Sequence, residues 1–223
     1  ESRDGGWTWR YVGNAAGILD RDRPYDRDGT ASVFTMWEEG RFRLWYTAFR
    51  YRDRSEADWL ARATHGCAEG QVPYLGIGYA ESRDGLQWTK PIDHLVVAPR
   101  EATVEPVEHW VAKPWIVRRG PDDYRMWVSA LGRSYRIHAL HSRDGRAWIW
   151  DRPDGGPDLD DGAGVEPGLG APGAFDAAMR GYPSIWEVEG HWHCWYTGNG
   201  YGATGIGHAV GDAVDQPETE RGK

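Results

Sequence analysis

The tetrapeptide Ser-Arg-Asp-Gly occurs three times in this chain, as Ser2-Arg3-Asp4-Gly5, Ser82-Arg83-Asp84-Gly85 and Ser142-Arg143-Asp144-Gly145. A turn signal that recurs in this way constrains the chain to a repeated supersecondary unit. Asp-Gly favours a tight turn, because Gly tolerates positive φ and the Asp side chain bonds nearby backbone, so each copy is expected to join two antiparallel strands. A tryptophan follows each copy, at Trp7, Trp88 and Trp148, and Gly211-Asp212 after Ala209 reads as a worn fourth copy.

Ahead of each turn lies a second echo with the two-residue alternation of a strand: Arg41-Phe42-Arg43-Leu44-Trp45-Tyr46-Thr47, Tyr124-Arg125-Met126-Trp127-Val128-Ser129 and His191-Trp192-His193-Cys194-Trp195-Tyr196-Thr197. A Gly-containing turn precedes each, and before that an apolar run (Ser32-Val33-Phe34, Trp115-Ile116-Val117, Ser184-Ile185-Trp186). After it comes Ile77-Gly78-Tyr79-Ala80, Ile137-His138-Ala139 or Ile206-Gly207-His208-Ala209. The unit is a four-stranded meander, and units of this kind spaced by roughly 40 to 60 residues predict an all-β propeller of four-stranded antiparallel blades. Propeller sheets bury both faces against neighbours, which accounts for 14 Trp and 11 Tyr beside 4 Phe without invoking a ligand. Residues 1–223 are expected to form a single propeller domain, its ring closed by pairing of 1–10 with 202–212, the two ends supplying complementary parts of one blade. A missing upstream segment is the alternative.

A formal charge of −8 argues against a nucleic-acid partner, because release of phosphate counterions needs a basic face. No apolar run approaches the roughly 20 residues of a membrane helix, and the N-terminus lacks the layout of a signal peptide, so a soluble protein is expected, with its compartment open. Cys67 and Cys194 read as free thiols. There is no Gly-x-Ser-x-Gly elbow, phosphate loop or dinucleotide fingerprint, and no cofactor is expected.

The pattern of an aromatic-Asp pair before an inner strand, then Trp-Tyr-Thr-Gly, then Ile-Gly-x-Ala and Ser-x-Asp-Gly-x-x-Trp resembles the five-bladed propeller glycosidases of the arabinanase, xylosidase, invertase and levansucrase superfamily, over most of residues 26–212. At roughly 60 residues a unit, five blades want nearer 300 residues than this chain's 223. The resemblance implies three carboxylates meeting at an axial pocket, one a base or nucleophile, one a proton donor and one orienting the sugar. Asp26 after Tyr25, Glu108 before Pro114 and Asp176 after Phe175 occupy the matching places, with Asp28 as the substitute for Asp26 and a possible substrate contact. Glycosidic cleavage needs one carboxyl protonated and one ionised, which crowding in a dry pocket supplies. The plainer reading of each is a cap on backbone amides at a turn. Lys113, Arg180 and Tyr182 on the same inner strands suit contacts to hydroxyls or to an anionic group, or neutralisation of the acids, and His109 and Trp110 flank Glu108 as a stacking surface.

The loop 154–174 reads as a lid or as a plain excursion; its Asp158, Asp160 and Asp161 do not fit the helix-loop-helix calcium spacing, and no metal is expected. His191 and His193, and the matched His138 and His208, read as packing residues. The expected function is a carbohydrate-active enzyme, a glycoside hydrolase acting on a small sugar. The alternatives are a lyase or other enzyme acting on a sugar or nucleoside in the same pocket, and an inactive sugar-binding propeller. Oligomeric state is not legible.

Overall fold

The computed structural model describes residues 1–12, 17–56, 70–100, 108–153 and 155–213, so Cys67 lies outside the described residues. It is nearly all β. The first unit comprises β1 (Gly29–Glu38), β2 (Arg41–Asp53), β3 (Gln71–Ser82) and the short β4 (Trp88–Thr89); the second comprises β5 (Trp110–Gly120), β6 (Asp123–Leu131), β7 (Tyr135–Ser142) and β8 (Ile149–Trp150). Both are antiparallel meanders in the expected order. The third unit has only β9 (Gly181–Val188), β10 (His191–Thr197) and β11 (Ile206–Asp212). A single parallel pairing, Leu75 with Trp110, joins the first two units into one eight-stranded sheet. No helix among the described residues is long and apolar enough to cross a membrane.

The sheets do not close, and the expected pairing of 1–10 with 202–212 is not made: β11 pairs with β10 alone and residues 1–10 contain no strand. The N-terminal segment satisfies itself instead. Glu1 and Arg10 exchange backbone bonds at 2.7 Å, and Asp4 accepts from the Thr8 amide and hydroxyl. Trp9, rather than Trp7, takes the tryptophan's place at this turn, its Nε1 donating to the Gly6 carbonyl at 2.9 Å.

The other two Ser-Arg-Asp-Gly turns are built alike, and the side chains explain the motif. Asp84 Oδ1 accepts from the amides of Leu86 and Gln87 at 2.8 Å, while Ser82 Oγ accepts from Gly85. Asp144 and Ser142 repeat the pattern, and Trp88 and Trp148 close each turn onto the carbonyls of Gly85 and Gly145. The second of these turns also locks two units together. Arg43 of β2 donates to the Asp144 carbonyl at 2.6 Å, and Trp45 donates to the Gly145 carbonyl at 2.9 Å. Arg43 further meets Glu38, Tyr79 and Tyr124, so a buried guanidinium finds partners on every side. One apolar cluster runs across this interface from Trp45, Ile77 and Tyr79 to Val111, Met126 and Leu140.

The third unit is thinner. It is tied to the second through Trp115 Nε1 on the Ile185 carbonyl, Arg119 on Glu187 and a cluster around Leu131, Tyr135 and Met179. Its far face stands open: Trp195 is 40% exposed where its equivalent Trp45 is 0%, and Ile206 is 75% exposed where Ile77 is 0%.

Each inner strand carries a bulge near its start. Ser32, Lys113 and Tyr182 stand there at φ of 42°, 58° and 57°, the left-handed region that β-strand residues avoid. Pro114 and Pro183 follow two of them and lack the amide a regular ladder would need. The neighbouring unit holds these two in place: Thr47 Oγ1 accepts from the Lys113 amide at 3.1 Å and Ser129 Oγ from the Tyr182 amide at 2.7 Å. Left-handed non-glycine residues cost on the order of 1–3 kcal/mol each, so the scaffold spends stability to present three different side chains in one recurring position.

Candidate functional site

Asp26, Glu108 and Asp176 each precede an inner strand, which sets all three at the same end of the units. All three are buried. No two of them share a hydrogen bond or a cation; each has its own. Lys90 Nζ lies 2.6 Å from Asp26, Arg100 meets both Glu108 oxygens at 2.8 and 2.9 Å, and Arg180 Nε lies 2.7 Å from Asp176. Neutralisation by Arg180 matches the expectation for that residue, whereas Lys90 and Arg100 come from loops whose sequence gives no such signal.

The first and third sites are copies. Asp26 accepts from Tyr46 at 2.8 Å and Asp176 from Tyr196 at 2.8 Å, both 20 residues onward. Each tyrosine ring lies over a glycine of the third strand: a Cβ on Gly78 would stand 2.4 Å from Tyr46 Cζ, and one on Gly207 2.2 Å from Tyr196 Cζ. Burial and the Asp26 bond push the Tyr46 hydroxyl pKa up, and the same causes raise Tyr196 to about 12. The second unit departs from this on all three counts. Val128 replaces the tyrosine, His138 stands opposite it in place of the glycine, and Glu108 reaches His138 Nε2 at 3.2 Å. His138 therefore matches Gly78 and Gly207 in register, not His208, which pairs with Trp195 as Tyr79 pairs with Trp45. The expected equivalence of His138 and His208 fails by one residue of register, Ala139 being the residue that matches His208, and Val128 leaves the room that lets a histidine stand where the other units need glycine.

Burial pushes the Glu108 carboxyl up, but bonds from His138 and Arg100 outweigh it and hold the group below its ordinary value. Asp158 is a half-buried acid that the sequence offered only as part of an aspartate cluster. Burial raises it, against the Ala139 amide that it accepts from. The cluster itself disperses: Asp161 goes to Arg180 at 3.0 Å and Asp160 caps its own loop.

Beside the acids lies an aromatic shelf. Tyr182 stacks near-parallel on Tyr201, with centroids 6.0 Å apart, and meets Tyr135 at 5.5 Å; Tyr135 in turn meets Trp110 at 6.1 Å. Lys113 Nζ stands 4.8 Å above the Tyr182 ring. His109 is buried and packs edge-on to Trp110, and Trp110 donates to the Pro73 carbonyl. Asp28 is half-buried and accepts from the Tyr51 amide at 2.8 Å. Tyr135 and Tyr201 were not foreseen, because nothing in their local sequence marks them as neighbours. A cleft of about 870 Å³ opens at the opposite ends of the inner strands, between Phe34, Trp115 and Trp186, and none of the candidate residues lines it.

No family model matches the chain. An uncharacterized protein of Mycobacterium tuberculosis (strain ATCC 25618 / H37Rv) is 30% identical over 196 residues, which cover 86% of this chain and 59% of the relative. The chain thus spans less than two thirds of the length of the curated relatives it matches. Among solved structures, a family 117 glycoside hydrolase produced by the marine bacterium Zobellia galactanivorans is similar at a TM-score of 0.54 and 17% identity, over 81% of this chain and 50% of that one. Sucrose-6-phosphate hydrolase from Lactobacillus gasseri is similar at 0.55 and 20%, over 86% of this chain and 32% of that one. The described units share the fold of part of these glycoside hydrolases. Three units are formed among the described residues.

Proposed function

We propose that this chain is the propeller, or part of the propeller, of a carbohydrate-active enzyme of the glycoside hydrolase type. The observation that carries the reading is the placing of Asp26, Glu108 and Asp176 before the three inner strands, at the end where the bulges present Lys113 and Tyr182. In this reading a sugar ring stacks on the shelf of Tyr182, Tyr201 and Trp110, Asp28 contributes a polar contact, and Arg180 holds Asp176 in place. Glu108, held ionised by Arg100 and His138, suits the base or nucleophile. The likeness to propeller hydrolases supports the class of reaction and leaves the sugar open.

A second reading is favoured by one specific feature: each carboxylate is matched by its own cation, and Glu108 is held below its ordinary value, the opposite of what a proton donor needs. That pattern suits sugar binding without turnover. Release of reducing sugar from a panel of oligosaccharides and aryl glycosides tests the first reading. Glu108→Gln and Asp176→Asn should lower turnover per folded molecule by roughly 100-fold. Turnover untouched in both would place the chemistry elsewhere, and binding without turnover in the unaltered protein would establish the second reading.

A further inference from the structure

The bulge in β5 carries a charged side chain at the recurring position where β1 carries Ser32 and β9 carries Tyr182. Lys113 is exposed, and its ammonium rests on the face of Tyr182 at 4.8 Å. Among the described residues it has no carboxylate partner. The cations that meet the three acids differ in this respect: Lys90, Arg100 and Arg180 are consumed by Asp26, Glu108 and Asp176. We propose that Lys113, standing on Tyr182 beside the shelf of Tyr201 and Trp110, is the subsite for an anionic group, a carboxylate or a phosphate, on the sugar that this end of the propeller binds.

Three features bear on the choice of an anion over a hydroxyl. A hydroxyl is served equally well by a neutral donor, and the scaffold already presents two of these at the equivalent positions, Ser32 and Tyr182. The chain carries a formal charge of −8, so an anion bound at this end needs a local cation that no carboxylate has neutralised, and Lys113 supplies one. The ammonium is held by a ring face, which leaves its N–H donors free to turn outward. The backbone is fixed independently of the side chain, by the Lys113 amide on Thr47 and by Pro114, so the position is preset before any ligand arrives.

This inference rests on the sugar-binding reading above, and its test separates the two. Binding of glucose, glucuronate and glucose 6-phosphate is measured by titration calorimetry or ligand-observed NMR. At least one of the anionic sugars should bind about tenfold more tightly than glucose, and the advantage should shrink as salt rises from about 20 mM to about 0.3 M. Glucuronate alone would name a carboxylate, glucose 6-phosphate alone a phosphate. Lys113→Met should abolish the advantage, bringing the anionic sugars to no more than the affinity of glucose for the same variant, while Lys113→Arg should retain it. Lys113→Gly relieves the backbone strain at φ of 58° and so keeps the fold while removing the charge. Glucose bound with no anionic advantage, or an advantage that survives in Lys113→Met and Lys113→Gly, would overturn the inference and leave the sugar reading standing. Binding of none of the three sugars would count against both.

Discussion

Glu108 and His138 meet at 3.2 Å in the place where Asp26 holds Tyr46 and Asp176 holds Tyr196 in the other two units. The three units thus keep a buried acid at one structural address and change what answers it. In the first and third the answer is a phenol lying over a glycine; in the second it is an imidazole backed by Arg100.

That difference makes the second unit sensitive to acid. The Glu108 carboxyl lies below its ordinary value when folded, so between the folded and unfolded values the unfolded chain binds more protons. Its contribution to stability is fully present above the unfolded value of about 4.3 and is lost as pH falls through the folded value. Urea unfolding midpoints taken from about pH 2.5 to pH 7 should fall less steeply on the acid side in Glu108→Gln than in the unaltered protein. At pH 7 the same substitution should cost about 3 kcal/mol, because it leaves the Arg100 guanidinium buried without its countercharge. An unchanged acid limb would show that Glu108 is not held down by its partners.

Tyr46 and Gly78 should behave as one element. An added methyl at Gly78 would stand 2.4 Å from the ring, so Gly78→Ala should destabilise by about 1–3 kcal/mol. In a Tyr46→Val background, which copies Val128 of the second unit, the same change should cost less than half as much. A double-mutant cycle by chemical denaturation measures this coupling; strict additivity would mean that the ring does not exclude the side chain.

The Arg43 junction should be the most costly polar group to remove. Arg43→Met leaves Glu38 with Arg118 and Tyr124 alone and withdraws the donors to Tyr79 and the Asp144 carbonyl, so that several buried bonds are lost together and a loss of about 3–5 kcal/mol is expected by urea unfolding. Asp144→Asn, which loosens the turn without emptying the junction, should cost only about 1 kcal/mol. Equal losses would contradict the structure.

Cys194 should be slow to alkylate. Burial pushes its thiol up to about 12, so little thiolate exists at pH 8. Peptide mapping after iodoacetamide treatment should find it modified far more slowly in the folded protein than after denaturation.

What the sequence made legible follows from range. The Ser-Arg-Asp-Gly turns are readable because Ser82, Asp84 and their amides lie within five residues of one another, and the Trp-Tyr strands because alternation is local. Asp26 and Asp176 are findable from their place before a strand, but their tyrosines declare themselves only once β2 and β10 fold back. Lys90, 64 residues from Asp26, carries no local mark at all. The bulges had a signal in Lys113-Pro114 and Tyr182-Pro183, yet the left-handed backbone becomes visible only with the Thr47 and Ser129 hydroxyls of the neighbouring units. Residues 1–10 contain no strand, and what was readable there was the turn itself, in the bonds of Asp4 with Ser2 and Thr8.

The unequal ties between the units have a consequence for how the molecule comes apart. Arg43 and the shared apolar cluster make β1–β8 one cooperative block, whereas β9–β11 hang on a few bonds and keep an open face. Sub-global opening should therefore begin at the third unit, and amides of β10 and β11 should exchange with solvent at free energies well below those of β2 and β6. Because Asp176 and Tyr182 belong to that weaker part, the end of the molecule that presents the candidate site is supported by two regions of different endurance. Local melting can dismantle one wall while the others persist.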